Sequence, residues 1–223
     1  YPALLAAQTV GSSGNVTGID LAEQMLEAAR RKAASLKLSN ITFKTGDVTM
    51  LPFEAASFDA ITTRFCLMFL PEIPKAVAEI ARILKPDTWV AAAVWSAPEK
   101  NPYLKIPIDV IKQFAELPPP DPAAPGIFRL AKPSELAGLF EQAGLNNISD
   151  QEYLGDVRFA AADDYFSSLM DIAAPIQNLW AKLSAAQQTE AKQRIIQTSG
   201  QYRKGTAIAL PIAVRMVAAQ KPG

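Results

Sequence analysis

Val16–Lys44 reads VTGIDLAEQMLEAARRKAASLKLSNITFK, and its periodicity changes twice. Val16–Ile19 is a short apolar strand that ends at Asp20. From Ala22 to Lys37 the apolar residues Met25, Ala28, Ala29, Ala33 and Leu36 recur at helical spacing and predict one apolar face. Asn40–Lys44 then alternates Ile41 and Phe43 with Thr42 and Lys44, the two-residue period of a strand.

The same rhythm continues on both sides. Tyr1–Thr9 reads as the tail of a helix closed by Gly11. Phe58–Thr63 reads as a strand of mostly buried type, and Ile73–Leu84 as a helix. Pro74 falls in that helix's first turn, where a missing N–H costs little. Trp89–Trp95 is nearly continuous in apolar residues, as in a parallel strand covered on both faces. Strands alternating with helices predict an α/β fold with a doubly wound, Rossmann-like sheet. The second half differs. Residues 97–131 carry Pro118, Pro119, Pro120, Pro122 and Pro125 and read as a loop or lid. Ser134–Ala143 is a predicted helix stopped by Gly144, and Asn147–Phe159 a strand. Ala162–Gly200 is mostly helical, and Thr206–Ala219 closes the sheet as an antiparallel strand. The reading is one domain over 1–223, with 148–223 supplying C-terminal helices and closing strands.

Composition narrows the chemistry. Of 223 residues, 49% are apolar, enough for a sizeable core. Lys plus Arg and Asp plus Glu are 22 each, a balance that argues against a nucleic-acid partner. No apolar run reaches the roughly 18 residues of a membrane span. Cys66 stands alone, so no internal disulfide forms, which suits a reduced, cytoplasmic setting. There is no histidine, which excludes His-based catalysis and His metal ligands, and no metal site is expected.

Four ordered segments carry a resemblance: VTGID (Val16–Asp20), FKTGDV (Phe43–Val48), FDAITTRF (Phe58–Phe65) and ILKP (Ile83–Pro86). Together with EQAGL (Glu141–Leu145), they resemble the class I S-adenosylmethionine (SAM) dependent methyltransferases, nearest the branch with the ubiquinone and menaquinone C-methyltransferases. The resemblance implies SAM as cofactor and a small, partly apolar methyl acceptor. Asp20 would accept hydrogen bonds from the ribose hydroxyls, a task suited to two carboxylate oxygens. Its alternative role is capping the helix from Ala22. Asp47, after Gly46, would meet the adenine amino group, with Val48 beside it, or it is simply turn chemistry. Leu21 and Met25 would pack on the adenosine. Arg64 and Phe65 would lie near the methionine end, Arg64 alternatively in a surface ion pair. Met68, Trp95 and Tyr103 are candidates for the acceptor wall, each also readable as plain packing.

Two departures stand out. The family's first strand and its glycine-rich loop are not in the sequence, so the reading places them upstream of Tyr1 and takes the chain as a fragment. Gly11–Gly14 is no substitute, because it lies between a helix and a strand. After ILKP the family's two glycines are replaced by Asp87 and Thr88, which alters a turn. Methyl transfer is an in-line displacement, so alignment and a water-poor pocket carry most of it. A base is needed only if the acceptor must lose a proton, and Asp, Glu, Tyr and Lys stay open for it. Two alternatives are an NAD(P)-dependent Rossmann oxidoreductase and a non-catalytic binding module. The former lacks a Tyr followed four residues later by Lys.

Overall fold

The computed structural model describes residues 2–115, 121, 124–205 and 207–223. The elements in chain order begin with α1 (Pro2–Val10), β1 (Val16–Asp20), α2 (Glu23–Ser35), β2 (Ile41–Thr45) and β3 (Phe58–Arg64). They continue with α3 (Ile73–Ile83), β4 (Leu84–Trp95), α4 (Pro102–Ile111), α5 (Glu135–Gln142) and β5 (Asn146–Phe159). The chain ends with α6 (Ala162–Ile172), α7 (Ala174–Trp180), α8 (Ala185–Ser199), β6 (Arg203–Lys204) and β7 (Ala207–Gln220). It divides into two compact units. The first holds Tyr1–Ala93, Ser134–Asp150 and Met216–Gly223, the second Val94–Pro133 and Gln151–Arg215.

In the first unit β1 and β2 pair in parallel, with Gly18 opposite Phe43 and Asp20 opposite Thr45. Gly18 has a packing reason: a Cβ there would lie 2.7 Å from the Phe43 ring. Parallel pairing requires a crossover, and α2 supplies it. Its buried residues are Leu26, Ala29 and Ala33. The expected face was therefore rotated. Leu26 belongs to it, whereas Met25 and Leu36 are exposed, because the helix starts at Glu23 and turns Met25 off the core side.

The remaining strands follow the order β3–β4–β7–β5, with β6 beside β7. β3 and β4 are parallel, Ala60 facing Trp89 and Arg64 facing Ala93. β7 is antiparallel: Thr88 meets Lys221 and Ser96 meets Ala213, so numbers rise along β4 as they fall along β7. No ladder joins β1 to β3, although α1 touches both. β3 was expected to be mostly buried, and this is corrected: Asp59, Ala60, Thr62 and Arg64 are exposed, because among the described residues no strand pairs with one edge of β3.

α3 is the most thoroughly apolar-faced helix of this unit, burying Ile73, Ala76, Val77, Ile80, Ala81 and Ile83. Its C-terminal carbonyls are satisfied from far along the chain. The Lys221 ammonium donates to Ala81 O at 2.8 Å and Leu84 O at 2.7 Å, where a cation also suits the helix dipole. Asp87, in the place of a family glycine, adopts φ 60°, a left-handed conformation that Asp tolerates better than most residues.

In the second unit, part of the segment read as a loop or lid is helical. Pro98–Lys100 form a 3-10 turn and α4 follows, with Pro102 at its start and Pro107 within it. The buried run Tyr103, Leu104, Ile106, Val110 and Ile111 outweighs the one backbone bond that Pro107 forgoes. Pro118, Pro119, Pro120 and Pro122 lie outside the described residues. α8 is started by a capping box, Ser184 N–H donating to Gln187 Oε1 at 2.8 Å. Among the described residues, no helix is long and apolar enough to cross a membrane.

Candidate cofactor site

The loops that leave β1 and β2 lie side by side in the first unit. Parallel register sets Asp20 opposite Thr45, and Gly46 N–H then donates to Asp20 O at 3.1 Å. Gly46 is tight against β1, since a Cβ there would sit 3.1 Å from the Ile19 side chain. Asp20 is exposed, and its Oδ1 accepts the Ala22 N–H at 2.9 Å. It is therefore not the N-cap of α2, which is Ala22. Among the described residues Oδ2 takes no hydrogen bond. Leu21 is 62% exposed and Met25 50%, so a carboxylate acceptor stands beside uncovered apolar surface.

Asp47 caps its own turn. Its Oδ1 accepts the Thr49 N–H at 2.8 Å, and its carbonyl accepts the Met50 N–H at 3.0 Å. The Thr49 N–H foremost, then the Thr49 hydroxyl and the charge of Lys75, hold the Asp47 carboxyl below its ordinary value. The turn reading from sequence is thus present in the structure, on a residue that remains exposed. Val48 beside it is half-buried.

After β3, Arg64 lies over the Phe65 ring at 5.6 Å. Phe65 adopts φ 53°, uncommon for a residue with a side chain, while its N–H donates to Ala93 O at 2.8 Å. Cys66 follows. Loss of water around its sulfur pushes the thiol above its ordinary value, and the Asp20 carboxylate adds to that shift. The ends of β1 and β3 are therefore electrostatic neighbours. Met68 is 0% exposed, inside the 3-10 turn Leu67–Phe69. It packs the core of the first unit.

Trp95 and Tyr103 belong to the second unit, in an aromatic cluster that the sequence reading did not assemble. Tyr103 stacks on Phe159 at 6.2 Å and 10°, and lies 6.4 Å from Trp95 and 5.8 Å from Tyr165. Burial pushes the Tyr103 hydroxyl up, which disfavours it as a base, and it pushes Tyr165 up further. The Tyr165 hydroxyl donates to Tyr103 O at 2.8 Å. Next to the cluster in sequence, the Ser96 hydroxyl donates to Glu152, and Lys100 Nζ meets the same carboxylate at 2.6 Å. Lys100 first, then Ser96, hold Glu152 below its ordinary value.

The sequence reading also missed a tie between α2 and the end of β2. Glu23, in the first turn of α2, accepts Arg30 Nη1 at 2.5 Å on Oε1 and the Thr45 hydroxyl at 2.5 Å on Oε2. Arg30 Nη2 also donates to Phe43 O at 3.2 Å. An acid in the first helical turn was a visible signal, but a generic one. Among the described residues, no group of three Cys, Asp or Glu could hold a metal.

Exposed acids at the ends of parallel strands, beside apolar surface, are an acceptor set that suits a nucleoside with a diol and an exocyclic amine. The α/β sheet, closed by an antiparallel last strand, has the fold of the class I methyltransferases. The methyltransferase-domain family model matches residues 2–92. A demethylmenaquinone methyltransferase of Staphylococcus epidermidis is 34% identical over 160 residues, covering 68% of this chain. The chain spans 66% of that relative's length. Solved structures agree on the fold. The YcgJ protein of Bacillus subtilis has a TM-score of 0.58 at 22% identity, over 94% of this chain and 83% of its own. A putative methyltransferase of Bacillus halodurans has a TM-score of 0.58 at 18% identity, over 94% and 84%.

Proposed function

We propose that this chain binds SAM at the loops after β1, β2 and β3 and serves methyl transfer to a small, partly apolar acceptor. The observation that carries the reading is the Asp20–Gly46 bond, which holds two exposed acids, Asp20 and Asp47, on adjacent strand ends. In this reading Asp20 accepts the ribose hydroxyls, and Asp47 with Val48 receives the adenine edge. Leu21 and Met25 cover the nucleoside, whose burial would remove their exposed surface from water. Gly46 keeps the backbone close. Arg64 and Phe65 flank the amino-acid end.

When bound, SAM supplies an electrophilic methyl group on a sulfonium centre. The chain's own contribution is to fix that group's direction and to exclude water. No histidine is present to take a proton, and a base is needed only if the acceptor must lose one. The acceptor class follows the name of the staphylococcal relative, which denotes action on demethylmenaquinone.

The test is titration of SAM and S-adenosylhomocysteine, with NAD as control, into the chain and its Asp20→Ala and Asp47→Ala variants. Asp20→Ala should weaken binding about thirty-fold, the loss of hydrogen bonds to a charged group (about 2 kcal/mol). Unchanged affinity in both variants overturns the site.

A further inference from the structure

We infer that Glu23 is a positioning residue for the nucleoside site: with Arg30 and Thr45 it forms a clamp that fixes the Asp47 loop against Asp20. The inference rests on the SAM reading above and adds residues that touch no part of the ligand in it.

The geometry is specific. Asp20 ends β1, and Thr45 ends β2 directly opposite it. Beyond these residues the ladder stops, so a short loop carries Asp47 without further sheet support. Gly46 N–H to Asp20 O, at 3.1 Å, is the one backbone bond between the loops that the register itself supplies. The Glu23 carboxylate adds a second tie from a different element. Its Oε2 takes the Thr45 hydroxyl at 2.5 Å, one residue before Gly46 and two before Asp47. Its Oε1 takes Arg30 Nη1 at 2.5 Å, and Arg30 Nη2 reaches Phe43 O at 3.2 Å. Arg30 therefore holds Glu23 in place and is itself held by β2. Asp20 Oδ1 on the Ala22 N–H closes the circuit by fixing the start of α2 to the end of β1.

Each bond by itself is exposed and weak. Their effect lies in number and direction. Asp20, Glu23 and Thr45 come from three elements, and the ties among them leave the separation of the two acids little freedom. A nucleoside bound at both ends, through its ribose and its base, is sensitive to that separation, because binding must otherwise include the cost of ordering the loop. Glu23 and Thr45 thus govern affinity through preorganisation.

The test uses the chain as it is, with Thr45→Val, Thr45→Ser and Glu23→Gln. Amide hydrogen exchange is read first, without ligand. In Thr45→Val and Glu23→Gln the Gly46 amide should exchange about five-fold faster, the effect of one lost hydrogen bond. Amides of α3 and β4 should not move. Thr45→Ser, which keeps the hydroxyl, should restore the original rate. Affinities for S-adenosylhomocysteine and for adenosine alone are then compared. Both should fall by the same factor, about five-fold, because the clamp acts on the nucleoside end. An unchanged Gly46 exchange rate in both variants overturns the clamp. So does unchanged affinity in those variants while Asp20→Ala still weakens binding. Unchanged affinity in Asp20→Ala and Asp47→Ala would instead remove the SAM reading itself, and with it the role given to Glu23.

Discussion

The strand-end loops of the first unit and the aromatic region of the second are built on opposite plans. Around Asp20 and Asp47 the side chains are exposed, and the polar contacts are made within a few residues or, for Glu23 and Thr45, between α2 and the end of β2. Around Tyr103 the groups are buried and their partners come from far along the chain. Asn101 is 0% exposed, and its carboxamide pairs with both backbone groups of Ala213, accepting the N–H at 2.9 Å and donating to the carbonyl at 3.1 Å. It also donates to Ser96 O at 3.0 Å. A side chain here stands in for a strand residue. The contrast separates an exposed polar surface from one whose polar groups are already satisfied within the protein. Changes in the first should show in binding, and changes in the second in stability.

The largest expected effect is on Asn101. Asn101→Leu leaves the N–H and C=O of Ala213 without these partners, and it should destabilise folding by about 3 kcal/mol, read from denaturant unfolding. Tyr165→Phe removes only the bond to Tyr103 O and should cost about 1 kcal/mol in the same assay. Leu21→Ala and Met25→Ala invert the pattern. Both side chains are exposed, so stability should stay within about 0.5 kcal/mol while affinity for S-adenosylhomocysteine drops several-fold. A stability loss as large as that of Asn101→Leu would break the contrast.

The smallest effect is acid sensitivity at the loops. The carboxyls of Asp47 and Glu23 both titrate below their ordinary values of 3.8 and 4.5. A depressed folded-state pKa means that each contributes stability above the unfolded-state value and loses it as pH falls through the folded one. The Thr49 and Gly46 amide signals should therefore hold steady down to those ordinary values and change below them. A change centred above pH 5 would show that the carboxylates are not held by these bonds.

Much of the first unit was legible because its signals are local. The strand at Val16–Asp20, the helix after it and the strand at Ile41–Thr45 follow from periodicity alone. The order of motif segments then pointed to strand-end acids. The face of α2 was misjudged because Ala is compatible with either side of a helix. Leu26 and Met25 are adjacent, and the entry of the chain at Glu23 decides which of them turns inward. α4 was hidden by proline, whose usual meaning as a breaker was overridden by five buried apolar side chains. Lys221 on the carbonyls of α3, Asn101 on Ala213 and the Tyr103 cluster were not legible. Each joins residues with wide sequence separation, and no local pattern encodes such a partner. The Glu23–Thr45 tie was invisible for the same reason, though its effect falls on residues that the motifs had already marked.

The most direct measurement is a titration of S-adenosylhomocysteine into the isotope-labelled chain, followed by two-dimensional amide spectra up to millimolar ligand. Binding at the proposed site should move the signals of Leu21, Gly46, Asp47 and Val48 together and saturably. NAD should leave them in place, and Asp20→Ala should shift the midpoint to much higher concentration. Signals that stay fixed at these residues, or that respond equally in Asp20→Ala, would contradict a SAM site at the ends of β1 and β2.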